Sequence, residues 1–302
     1  MYATRQNVIA FSLLGLFALA PAKAIAQISL TLRVGLVTRA NPTSSAASVA
    51  RGVRLGAAEA TETATLFGGS VVLFEQSVAG SVVSAATTLL SQRKVQVIIG
   101  ASAEDAEALS RFADEHGLIF FNAASRSSAL RTACRRNTFH VEASDSMYAN
   151  AVRSSSAPQG VADSTVLWAG SLEKYGASQI NDRFLNKYHL PMDGSAWAGW
   201  VAVKIAAEAV LRAHSTRPTA LLSYLEAAST TFDGHKGWAL SFRSSDHQLR
   251  QPLYVGVRSA EKRTPGFRDV PQLGSLSAAG ANANKLLEQL MPRTSACVRS
   301  RT

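Results

Sequence analysis

Between residues 30 and 125 the chain changes its hydrophobic period repeatedly, and the order of those changes leaves few folds open. "LTLRVGLVTR" (30–39) is a Leu- and Val-rich run of strand length. "SSAASVARGVRLGAAEATE" (44–62) follows with helical spacing, and Ser44 or Ser45 is placed to accept an unpaired backbone N–H at its start. A Gly-Gly turn opens a second strand (68–77), and a second helix (80–94) comes next. "VQVIIGA" (95–101) is apolar almost throughout, as a strand covered on both faces must be. A third helix (103–117) ends at Gly117 with His116 in its last turn, which suits a helix C-terminus. "LIFFNAAS" (118–125) is a fourth strand and "NTFHVEAS" (137–144) a fifth. Strand and helix alternating at this spacing predict a doubly wound parallel α/β sheet, a Rossmann-like lobe.

Sheets of this kind bind ligands beyond the carboxyl ends of their strands. Those ends are Thr38-Arg39-Ala40-Asn41, Gly100-Ala101-Ser102 and Asn122-Ala123-Ala124-Ser125, all rich in small and hydroxyl residues. Helix N-termini follow two of them and offer N–H groups to an anion.

Farther along, 174–189 reads as an amphipathic helix and 195–213 as a strong one with Ser195 as its N-cap. Lys204, Glu208 and Arg212 recur every four residues and define its wet face, while Trp197 and Trp200 on the other side are expected in the core. A helix at 218–229 leads into a predicted β-hairpin (235–259) with strands "WALSFR" and "PLYVGV" and turn "SSDHQ". A short helix is expected near "NANKLLEQLM". Between the two halves sits "RSSSAPQGVADS" (153–164), composed like a loop.

The first 26 residues stand apart. Arg5 precedes an apolar run at 8–20, and Ala24 and Ala26 form a small-x-small cleavage site, so a signal peptide removed after Ala26 is expected. The apolar run is shorter than the about 20 residues a spanning helix needs. The mature chain is therefore expected in the periplasm without stable membrane insertion. With 47% hydrophobic and 17% charged residues the full sequence is composed like a globular protein.

The formal charge of +10 falls to +8 without Arg5 and Lys23. The basic residues are scattered and no nucleic-acid-binding signature appears, so no nucleic-acid partner is expected. The basic tail "RTSACVRSRT" reads as a solvated end. Cys134 and Cys297 in an oxidising compartment form either one disulfide or two separate thiols, and without a CxxC neither a redox nor a zinc site is indicated. No G-x-S-x-G elbow, P-loop, HExxH motif or metal-spaced His pair occurs, which argues against an enzyme, a cofactor and a metal site. Ser245, Asp246 and His247 are chain neighbours and do not make a triad by themselves.

"RVGLVTR…ARGVRLGAAEATETATLFGGSVVLFEQS…VQVIIGASA…GLIFFNAASRSSALR", within residues 32–145, resembles the type I periplasmic binding proteins of ABC transporters, in the branched-chain amino acid receptor class. The G-A-x-x-A helix core, the strand leading to Glu75, the V-x-x-I-I-G strand with its small-residue loop and the N-A-A-S strand end carry the likeness. "EKYGASQINDRFLNKYHLPMDGSAWAGWVAVKIAAEAV" and "FDGHKGWALSFRSSDHQLRQPLYV" are similar to one branch, the substrate-binding proteins of pyrroloquinoline quinone (PQQ)-dependent alcohol dehydrogenase systems. "QLRQP" (248–252) and W-x-x-W-x-A-V are the most specific pieces, and "ALRTACRRNTFHVEASDSM" fits as well.

The resemblance implies a binding protein without catalysis or cofactor. Its expected partners are an ABC permease and a small solute: a small carboxylate, an amino acid or an alcohol-derived metabolite. It carries first-lobe ligand positions onto Ser102, Ala123 and Ser125, and it supports pairing Cys134 with Cys297. Glu104 and Asp105, at the adjacent helix start, are expected to repel an anion.

The chain departs from the family after "SDSMYANAV", where on the order of 100 residues of a second lobe are missing. The expected organisation is therefore a signal peptide (1–26), a ligand-binding lobe (27–150 with 193–234), a linker and reduced second-lobe segment (151–192) and a C-terminal hairpin and tail (235–302). A degenerate relative acting as a periplasmic protein–protein interaction module is the alternative.

Overall fold

The computed structural model describes residues 30–154, 162–258, 267–269 and 288. The expected signal peptide, Cys297, the basic tail and most of the helix near "NANKLLEQLM" lie outside the described residues.

The first half folds as its alternation requires. In chain order it runs β1 (Thr31–Arg39), α1 (Ser44–Leu66), β2 (Ser70–Val78), α2 (Val82–Arg93), β3 (Val97–Gly100), α3 (Ala106–His116), β4 (Ile119–Asn122), α4 (Ser128–Thr132), β5 (Thr138–His140) and α5 (Asp145–Ser154). The five strands form one parallel sheet in the order β2-β1-β3-β4-β5. Successive side chains feed opposite faces. Leu32, Val34, Leu36, Ile99 and Phe121 enter one apolar cluster, while Val37, Ile98 and Phe120 enter the other with α2 and α3. A strand covered on both sides has no polar face to show, which is why these segments read as continuous apolar runs.

Then come β6 (Ala162–Val166), α6 (Ala177–Tyr188), α7 (Gly194–Ala213), α8 (Pro218–Glu226), β7 (Phe232–Asp233), β8 (Ala239–Phe242), β9 (Leu249–Arg250), β10 (Tyr254–Arg258) and β11 (Phe267–Asp269). Helices α1 and α7 cross at backbone contact. A Cβ on Gly52 would lie 1.8 Å from the Ala196 carbonyl oxygen, and one on Gly199 would lie 2.3 Å from that of Val49. Trp197 and Trp200 are buried, as their helical spacing predicts.

Three local expectations are corrected. Thr43, not Ser44 or Ser45, caps α1: it holds the extended conformation a cap needs, and its Oγ1 accepts the Ala46 N–H at 3.3 Å. Asp193, not Ser195, caps α7. Its Oδ1 accepts the Ala196 N–H at 2.8 Å and the Ser48 hydroxyl at 2.6 Å, so one carboxylate both starts α7 and ties it to α1.

The third concerns the hairpin. β8 pairs with β9 and β7, whereas β10 leaves to pair with β6 and β11 in a separate three-stranded sheet. His247 takes a left-handed φ of 53°, and the Arg243 and His247 N–H groups close the turn tightly, so pairing begins at once at Leu249. Pro252 lacks an N–H and cannot extend that ladder.

Candidate functional site

Register brings the sequence-predicted strand ends together. Val37 lies beside Gly100, and Gly100 beside Asn122. The Arg39 loop, Ser102 and the Ala123–Ser125 turn are therefore neighbours along one edge. Ser102 is buried, and its hydroxyl has no protein partner among the described residues. Ala123 is fully buried in the core. Ser125 belongs to a turn built by Asn122: the Asn122 Oδ1 accepts the Ser125 N–H at 2.8 Å, and its Nδ2 donates to the Ser125 carbonyl at 2.8 Å. The Ser125 hydroxyl accepts the Ser127 N–H at 3.4 Å.

The expected repulsion from the acidic pair is half cancelled. Arg39 grips Asp105 with two nitrogens, its Nε donating at 2.9 Å, while its Nη1 donates to the Gly80 carbonyl at 2.7 Å. One guanidinium thus pins the ends of three strands and neutralises one carboxylate. Glu104 stays exposed, 3.7 Å from Arg39. Helix α3 accordingly begins at Ala106, later than predicted, behind this clamp.

Behind the edge lies a buried polar network that sequence reasoning missed. Arg131 donates its Nε to Gln248 Oε1 at 2.6 Å, its Nη1 to the Ser127 carbonyl at 2.8 Å and its Nη2 to the Glu142 carbonyl at 2.6 Å. Gln248 Nε2 returns to the His140 and Glu142 carbonyls, both at 3.1 Å. Gln251 Nε2 donates to the Val141 carbonyl at 2.6 Å, and its Oε1 accepts Lys236 Nζ at 2.9 Å. The "QLRQP" motif thus stitches the chain beyond the α/β half onto the end of β5.

Lys236 is fully buried, 3.9 Å over the Trp197 ring. Glu142 accepts the Tyr148 hydroxyl at 2.6 Å, and Arg126 lies across the Tyr148 ring at 4.1 Å. Burial is the leading cause of every shift here. It pushes the Glu142 carboxyl and the Tyr148 phenol up and the Lys236 ammonium well down, and it brings Arg131 down to about 10. Glu142 partly offsets the last two shifts by attraction.

The signal that could have pointed here is "QLRQP" itself: two glutamines in a strand-like run are costly to bury unless both amides are satisfied. Among the described residues no group of three or more His, Cys, Asp or Glu is placed to hold a metal, and no helix is long and apolar enough to cross a membrane.

Comparison with known proteins is consistent with this architecture. The family model described as "Periplasmic binding protein" matches residues 31–161. No curated protein matches the chain. Among solved structures, a branched chain amino acid ABC transporter periplasmic ligand-binding protein from Burkholderia xenovorans LB400 superposes with a TM-score of 0.69 at 12% identity, covering 86% of this chain and 96% of that one. A leucine-, isoleucine-, valine-, threonine- and alanine-binding protein from Brucella ovis gives 0.67 at 9% identity, covering 81% and 95%. A solute-binding protein of an ABC transporter from R. palustris, in complex with 4-hydroxybenzoate, gives 0.63 at 9% identity, covering 80% and 96%. The fold is that of the type I periplasmic binding proteins.

Proposed function

We propose that this chain is the periplasmic solute-binding component of an ABC importer, acting without catalysis and serving PQQ-dependent alcohol oxidation. The observation that carries the reading is the strand-end edge: Ser102 follows β3, and Ala123 and Ser125 follow its parallel neighbour β4, beside the Arg39 clamp. The solute is a small polar organic molecule, a carboxylate, amino acid or alcohol-derived metabolite, bonded by the Ser102 hydroxyl and nearby N–H groups. The PQQ link follows from the "QLRQP" and W-x-x-W-x-A-V blocks.

The second lobe is reduced in this reading. Only seven residues separate α5, ending at Ser154, from β6, beginning at Ala162, and β6 pairs in a sheet of three strands. Binding proteins close two lobes around their ligand. A single edge leaves the solute partly wet, so its hydrogen bonds are worth less than the about 1.5–3 kcal/mol of a desolvated charge-assisted bond, and affinity is weak.

A thermal-shift screen of the exported protein against small carboxylates, amino acids, alcohols and aldehydes tests the reading. A bound solute at about 100 times its Kd adds about 2.7 kcal/mol of stability, and Ser102→Ala should remove that gain. No shift with any solute, together with self-association, would instead favour the interaction module. Pairing of Cys134 with Cys297 belongs to the same proposal, and a thiol count on the denatured, unreduced protein should find none.

A further inference from the structure

A groove lies at the other end of the sheet, on the face covered by α1 and α7. Beyond their crossing at Gly52 and Gly56, the C-terminal halves of the two helices border a groove of about 880 Å³. Leu30, Phe67 and Leu211 give it an accessible apolar lining, with Ala60, Ala207 and Trp200 buried beneath. Leu30, just before β1, and Phe67, just after α1, place it at the amino-terminal edge of the strands. Phe67 is 66% exposed and its neighbour Leu66 83%.

The polar groups along the groove are unequally engaged. Glu59 accepts Arg183 Nε at 2.6 Å on one oxygen and Trp200 Nε1 at 2.8 Å on the other. His235 stacks on Trp200 at 5.4 Å. Lys204 and Glu208 face each other at 4.0 Å. Arg212, also in the lining, is exposed and makes no ion pair among the described residues. Both carboxylates therefore already face cations, while among the described residues the Arg212 guanidinium faces no anion. Apolar walls with a cation at their mouth suit a ligand with an apolar body and one negative end.

We propose that this groove is a second ligand site, taking an amphipathic monocarboxylate whose apolar body lies on Leu30, Phe67 and Leu211 and whose carboxylate meets Arg212. It is remote from the Ser102 edge and does not depend on that edge binding anything.

Calorimetric titration of the exported protein with octanoate and 2-naphthoate, and with the neutral octanamide and 2-naphthamide, tests this. Both carboxylates should bind saturably. Arg212→Ala, a change at an exposed position, should weaken them about threefold to fivefold, as loss of one solvent-exposed ion pair does, and the amides should bind the parent more weakly than the acids by about the same factor. Thr63→Trp, at an exposed α1 position lining the groove, should block both acids, while Ser102→Ala should leave their affinity unchanged. The proposal is overturned if neither carboxylate binds at millimolar concentration, or if amides and acids bind alike. It is equally overturned if Arg212→Ala and Thr63→Trp bind like the parent, or if Ser102→Ala is the variant that abolishes binding.

Discussion

The two edges of the central sheet are built in opposite ways. At the carboxyl edge the protein fills most of its own polar valences and, among the described residues, leaves the Ser102 hydroxyl open: Asn122 closes a turn, Arg39 grips Asp105, and Arg131, Gln248 and Gln251 bind backbone carbonyls. At the amino edge the α1–α7 face leaves a groove with apolar walls at Leu30, Phe67 and Leu211, and its outlet cation, Arg212, has no ion pair among the described residues. The difference separates rigidity from capacity. A satisfied network holds strand ends in register and resists change, whereas unfilled surface is where a ligand gains by displacing water.

The carboxyl edge is where a single change should cost most. Arg131→Ala removes the donors from Gln248 and from the Ser127 and Glu142 carbonyls in a dry interior. A loss of about 3–5 kcal/mol is expected, read from urea midpoints. A change confined to the amino-edge groove, such as Arg212→Ala, should leave the midpoint within about 0.5 kcal/mol. Equal effects at the two edges would erase the contrast drawn between them.

The α1–α7 crossing should come next. Gly52→Ala places a methyl group against the Ala196 carbonyl and forces the helices apart, so about 1–3 kcal/mol or more should be lost. Calorimetric melting measures it. A neutral result would mean that the crossing adjusts freely and does not set the width of the groove.

Lys236 sharpens the comparison through pH. Its pKa is depressed in the folded state below the ordinary 10.5, so the unfolded chain takes up the proton first as pH falls. The stability of the parent must then decline as pH drops below 10.5 and level off below the folded pKa. Between those two values the slope is about 1.4 kcal/mol for each pH step of one. Lys236→Met keeps the volume and removes that slope, so its advantage over the parent should grow as pH falls through this window. Denaturation curves at several pH values between 7 and 10.5 read the difference directly; parallel curves would show that Trp197 and Gln251 compensate the buried charge fully. Glu142→Gln should act with the opposite sign, because a raised carboxyl pKa costs the parent stability as pH rises above 4.5.

Much of the fold was legible because its signals are local. Five strands and three long helices of the α/β half follow from period and composition, and Gly117 ends α3 at a φ of 67° as a left-handed C-cap should. The strand-end edge was legible in outline, since a parallel sheet puts Ser102 and Ala123 just past the ends of neighbouring strands whatever the loops do. Ser125 shows the limit. Its hydroxyl reads as a ligand group in sequence, yet Asn122 recruits its backbone into a turn, and a competition between a turn and a ligand is not written in either residue alone.

What the chain determines by itself is therefore the alternation of elements, the parallel sheet, the edge where its small residues gather and the burial of Trp197 and Trp200. Hydrophobic period and backbone geometry act over a few residues, and a sequence displays them openly. Tertiary structure alone decided that "PLYVGV" pairs with β6 instead of "WALSFR", that Asp193 fastens α7 to α1, and that Gln248 and Gln251 close a network with Arg131, 117 residues away from Gln248. It also decided that α1 and α7 leave a groove beyond their glycine crossing. Each of these depends on which distant groups arrive within hydrogen-bonding or van der Waals reach, and that is a property of the packed chain, not of any segment of it.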